Sequence, residues 1–203
     1  MAVTIILIAI TALVSYVAFN NYSLWEKLMM WPRMMQGQPQ EYYRFLTSGF
    51  IHADYQHLIF NMLTLFFFGR NAELILTAIF GQVSSAVYGL FYLATIIISS
   101  VPAFIKHRNN GNYRSLGASG GVSGVVFFSI YYYPWSMING FIPAFLYAVL
   151  YVGYSVYMSR RGMDNVGHDA HLGGAACGFI FAFIADPTHG QVFIQQLLHP
   201  VFR

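Results

Sequence analysis

Residues 117–134 read GASGGVSGVVFFSIYYYP. The stretch carries no charge and stops at Pro134, which cannot continue a helix. What remains is a helix of about 17 residues, the short end of what crosses a bilayer. A short apolar helix behind a polar loop is expected to start below the membrane surface, with the loop dipping into a water-filled cavity. Ser119 would then stand at a helix N-terminus, inside the bilayer but wet. Free backbone N–H groups there point at any anion that forms beside it.

The surrounding chain supports a membrane reading. Of 203 residues, 57% are hydrophobic and only 8% are charged. Soluble domains carry about 25% charged residues, so this chain has too few to cover a water-facing surface. The expected fold is all-α: a polytopic membrane protein, one six-transmembrane-helix bundle forming a single domain over residues 1–203. The other five apolar runs are Ala2–Phe19 and residues 49–68, 75–104, 138–158 and 170–184. No Lys or Arg precedes Ala2–Phe19, so it reads as a retained span rather than a secretory leader. The connection over residues 20–48 holds Trp25, Trp31, Lys27, Arg33 and Arg44, a mixture suited to the headgroup zone. Arg70 and Glu73 are expected to mark the far end of the second span, Pro143 to lie in the first turns of the fifth, and a short tail to follow Pro187. The net charge of +3 is spread over several loops and makes no nucleic-acid patch. Cys177, the single cysteine, allows no internal disulfide and reads as a small packing residue.

Polar groups within spans cost free energy, so each needs a reason. Gly120 and Gly124 give the fourth span a small face, and Gly174 and Gly178 give the sixth another, starting just beyond His171. Such faces let helix backbones approach closely, which would bring Ser119 near His171. His57 and Asn61 share a face of the second span and both donate hydrogen bonds, so together they could hold an oxyanion. His52 and Asp54 lie nearer the span end and suit structural hydrogen bonding or solvation. His52, His57, His168 and His171 could alternatively form a metal or proton-coupled site. Against this, the chain contains no His-Glu-x-x-His motif and its cysteine is isolated.

Three motifs taken together resemble those of rhomboid intramembrane serine proteases. Gly117-Ala118-Ser119-Gly120 is similar to the Gly-x-Ser-Gly motif at the start of that family's fourth core span. The run from His52 through His57 to Asn61 resembles the second-span motif, and Ala170-His171-Leu172-Gly173-Gly174 the sixth-span motif. Tyr43-Arg44 sits where the family usually has Trp-Arg. The resemblance covers residues 42–186. Ser123 also fits a Gly-x-Ser-Gly pattern, but its amide should already be in the helical ladder, whereas Ser119 lies at the helix start. The resemblance agrees, and puts Ser123 where a residue packs against the catalytic histidine.

The resemblance implies hydrolysis of peptide bonds in or near transmembrane segments of other membrane proteins. Ser119 would be the nucleophile and His171 its base, with the Ser119 N–H, Asn61 and His57 stabilising the oxyanion. Asp169 is on the wrong side of the helix to orient His171 and has no catalytic role in this reading. No metal or cofactor is required. The implied partners are membrane-protein substrates and the lipid bilayer, not nucleic acid, and the implied place is the cell membrane. A rhomboid-like protein that binds membrane helices without cutting them is the alternative in another class. Orientation has two indicators. Eight of the ten basic residues fall on the side to which Ser119 and His171 open, which the positive-inside rule would make cytoplasmic. The resemblance implies the reverse, with both termini cytoplasmic, and is the reading adopted.

Overall fold

The computed structural model describes residues 1–138, 140–161 and 167–200. In chain order its helices are α1 (Ala2–Phe19), α2 (Tyr22–Leu28), α3 (Pro32–Met35), α4 (Arg44–Thr47), α5 (Tyr55–Phe80), α6 (Ser84–His107), α7 (Ser119–Tyr132), α8 (Ala144–Arg161), α9 (His168–Ala185) and α10 (His189–Leu198). A two-stranded hairpin, β1 (Met137–Ile138) and β2 (Ile142–Pro143), joins α7 to α8 and pairs Met137 with Pro143 and Ile138 with Ile142. The fold is the all-α membrane bundle expected.

Among the described residues, three stretches are long and apolar enough to cross a membrane: Ala2–Phe19, Tyr55–His107 and His168–Ala185. The second is α5 and α6 joined by the single turn Gly81–Val83 and packed against each other. Large apolar side chains point outward, among them Leu13, Leu74, Leu90, Leu150 and Ile184, all more than half exposed. Small polar residues such as Thr11, Ser15, Thr95, Ser99 and Ser129 are buried. That inversion suits a chain whose outer surface meets lipid and whose helices approach through small side chains.

α7 is the centre. Every residue from Gly120 to Tyr132 is buried, as expected of a helix that is apolar all round. Its packing against α9 runs through the glycines picked out above. A Cβ on Gly174 would overlap the carbonyl oxygen of Gly120, and one on Gly178 that of Gly124. Behind them, Gly120 and Gly173 lie against Ser99 of α6, and Gly124 against Thr95. Only glycine permits this spacing, so the register of Ser119 against His171 is set by backbone contact.

Three expectations are corrected. α5 does not end near Phe68 but runs through Arg70 and Glu73 to Phe80, where Gly81 turns the chain at φ +55°. Glu73 is tolerated there because its carboxylate accepts the N–H of Thr4 at 2.8 Å and pairs with the Met1 ammonium, both at the N-terminus of α1. Pro143 lies in β2, and the helix following it begins only at Ala144. The tail after Pro187 folds as α10, whose Phe193 stacks on Tyr131 with centroids 5.4 Å apart.

Candidate active site

The segment before α7 is held at three successive points. Ser115 and Met30 exchange backbone hydrogen bonds at 2.9 and 3.0 Å, strapping this segment to the first loop. The N–H of Gly117 donates to Ser48 O at 2.9 Å. The N–H of Ala118 donates to His52 Nε2 at 3.2 Å. Gly117 has φ +120°, a conformation side chains resist, and a Cβ there would lie 2.6 Å from the His57 ring. The glycine of the motif is therefore required twice over, by backbone conformation and by space.

His52 is fully buried between two elements. Because Nε2 accepts from Ala118, Nδ1 carries the proton and donates to Ser15 Oγ at 2.9 Å, and Ser15 in turn donates to Phe50 O. Its backbone carbonyl accepts from Trp25 Nε1 at 3.1 Å. Burial, reinforced by the neighbouring His57, pushes its pKa down to about 3, so it is neutral. The structural role expected of His52 is seen, and both ring nitrogens are occupied. Asp54 caps α5 by accepting the His57 N–H at 2.7 Å.

Arg44 does comparable work in the first loop. Buried to 4% exposure, it donates to the carbonyls of Glu26 and Met29 and pairs with Glu41 at 2.6 Å. A buried guanidinium with this many acceptors is a structural strut. Tyr43 donates to Lys27 O at 3.1 Å, on the outside of the same loop.

α7 begins at Ser119 with no side-chain cap, and its first backbone bond runs from Val122 N–H to Ala118 O. The amides of Ser119, Gly120 and Gly121 precede that ladder. A cavity of about 630 Å³ opens beside them. Ser119, His171, His57 and Asn61 all border it, so the residues singled out from sequence on three different spans meet at one place. One N–H of the Asn61 amide donates to His57 O at 2.9 Å, which fixes the group's orientation; the amide carries a second donor. His168 is buried beside His171, ring centroids 5.7 Å apart. Asp169 turns away to meet Lys106 at 3.0 Å and Ser159 at 2.5 Å, tying α9 to α6 and α8. Among the described residues no three His, Cys, Asp or Glu side chains converge as a metal cluster.

Two contributors escaped the sequence. Ser15 lies within an apolar run, where only its polarity marked it. Tyr151, one of 15 tyrosines, stacks on the His171 ring and had no distinguishing motif.

The molecule is thus a polytopic helical membrane protein in which a helix-terminal serine and a histidine border one cavity. The family model of the Rhomboid domain matches residues 39–187. RHOMBOID-like protein 12, mitochondrial, of Arabidopsis thaliana is 30% identical over 149 residues, covering 66% of this chain and 44% of that protein. RHOMBOID-like protein 4 of the same plant is 31% identical, covering 75% of this chain and 36% of that protein. Rhomboid protease GlpG of Haemophilus influenzae is 26% identical, covering 77% and 76%. The chain belongs to the rhomboid family. It spans less than half the length of the two plant relatives.

Proposed function

We propose that this protein is an intramembrane serine endopeptidase that cuts peptide bonds in or near transmembrane segments of other membrane proteins. The observation that carries the reading is the meeting of Ser119 and His171 at one cavity, beside the unladdered amides of α7. Membership of a family with protease-named members supports it. In this reading six helices span the bilayer: α1, α5, α6, α7, α8 and α9. At 1.5 Å per residue, the 14 residues of α7 reach about 21 Å against a hydrocarbon core of about 30 Å, so Ser119 starts below the surface.

His171 takes the proton of Ser119 Oγ as the oxygen attacks the substrate carbonyl carbon. The resulting oxyanion is received by the Ser119 N–H with Asn61 and His57. The C–N bond then breaks, His171 gives its proton to the leaving amine, and an acyl ester remains on Ser119. Water, deprotonated by His171, hydrolyses that ester and restores the serine. The substrates are membrane proteins with a transmembrane segment, and the cell membrane is the proposed location.

The test is covalent. A fluorophosphonate probe should label the wild type and not Ser119→Ala, while Ser123→Ala keeps measurable labelling and cleavage. Labelling that survives Ser119→Ala but vanishes in Ser123→Ala would move the nucleophile and overturn the assignment.

A further inference from the structure

Ser119 and His171 stand on two helices locked by glycine contacts, yet a third helix reaches the His171 ring. Tyr151 of α8 lies with its ring centroid 5.7 Å from that of His171 and the planes 25° apart, a stacked arrangement. Its hydroxyl is 2.6 Å from Ser123 Oγ, one helical turn beyond Ser119. Phe127 of α7 and Tyr147 of α8 close on the same ring at 5.8 and 5.6 Å. Tyr151 is therefore held at its hydroxyl and on its flanks, with a face turned to the histidine. It also borders the cavity that Ser119 and His171 share.

We propose that Tyr151 is a positioning residue for the peptidase reaction, holding the His171 imidazole plane so that one nitrogen addresses Ser119, with Ser123 anchoring Tyr151 in turn. This rests on the peptidase reading above. The torsion that turns an imidazole about its bond to Cβ is soft and broad, so the backbone of α9 alone does not fix the plane. A flat ring stacked on one face removes that freedom. Ser123 thereby serves the base indirectly, through a tyrosine on another helix.

The arrangement also links base geometry to α8. That helix buries Ala144, Ala148 and Ser155, which share a stripe with Tyr151. A shift of α8 would carry the stacked ring with it.

The experiment uses the purified full chain in detergent, with a fluorogenic transmembrane peptide and the fluorophosphonate probe. Because misplacement of a reacting group by about 1 Å can cost about 10²-fold, Tyr151→Leu should lower kcat and labelling rate by about 10- to 100-fold with KM nearly unchanged. Tyr151→Phe and Ser123→Ala both lose the hydroxyl anchor but keep the flat face, so both should stay within about threefold of wild type, well short of the Tyr151→Leu loss. If Tyr151→Leu does not fold, Tyr151→Met, bulky but not planar, replaces it. Wild-type kcat in the Leu or Met variant, an effect confined to KM, or Tyr151→Phe as impaired as Tyr151→Leu each overturns the proposal. A wild type that resists the probe and leaves the peptide intact would instead sink the peptidase reading itself.

Discussion

At the scale of single residues, Gly117 shows how a motif letter becomes geometry. Its φ of +120° and the His57 ring 2.6 Å from a would-be Cβ both oppose any side chain. Backbone strain of this kind costs about 1–3 kcal/mol, and relief would come by moving the segment that carries Ser119. Gly117→Ala should therefore lose labelling by at least about tenfold while its unfolding midpoint falls only modestly. Wild-type labelling would show that the segment adjusts freely. Ser119, His171, His57 and Asn61 were legible in the sequence because polar residues are rare within apolar spans and these four fell into motifs. Tyr151 was not, since a tyrosine in an apolar run gives no local sign of which ring it will meet. Ser15 left only a faint mark of the same sort.

At the scale of elements, the contact of α7 with α9 was readable because two glycines one turn apart on each span leave a groove with no other purpose. The same contact predicts a sharp contrast among glycines. Gly174→Ala places a methyl onto the Gly120 carbonyl and should destabilise by about 1–3 kcal/mol or more, as overpacking does. Gly153→Ala and Gly89→Ala, on α8 and α6 with nothing within 4 Å, should be neutral or stabilising by up to about 1 kcal/mol. Thermal unfolding in detergent compares them directly, and equal losses at all three sites would refute the packing account. The extent of α5 was misread because hydropathy treats a charge as a boundary. Whether Glu73 ends a helix depends on an acceptor's partner far along the chain, the Thr4 amide, which no window over residues 68–80 contains. The start of α8 failed for a related reason: Ile138 and Ile142 are apolar enough for a span, but they pair as a hairpin.

For the whole molecule, orientation separates the two indicators read from the sequence. Of the eight basic residues on the active-site side, Arg44 is buried among carbonyls and Lys106 pairs with Asp169. Arg114 lies 3.3 Å over the Trp31 ring and Arg161 4.6 Å over Tyr157. Setting these four aside still leaves Lys27, Arg33, Arg108 and Arg160 against Arg70 and Arg203, so the basic count keeps its sign and the proposal of cytoplasmic termini rests on the family resemblance alone. GFP fused after Arg203 should then fluoresce, and alkaline phosphatase at the same point should be inactive; the opposite pair of results would reverse the topology. Acid stability offers a second global measure. His52 titrates at about 3 in the folded chain and about 6.5 unfolded, so the unfolded state binds the proton first on acidification. The stability is full above about pH 6.5 and lost as pH falls toward about 3, by up to about 1.4 kcal/mol per unit. Unfolding midpoints at pH 7, 5.5 and 4 should decline accordingly, and the decline should shrink in His52→Gln. An unchanged slope in that variant would place the sensitivity elsewhere. The hydrogen bond from His52 to Ser15 has a further consequence for where this protein can be cut. The Rhomboid domain model matches from residue 39 onward, whereas Ser15 belongs to α1, outside that stretch. A fragment trimmed to that stretch would keep every motif and yet leave Nδ1 of His52 without its oxygen. The piece that carries the motifs and the piece that closes this hydrogen bond are, here, of different length.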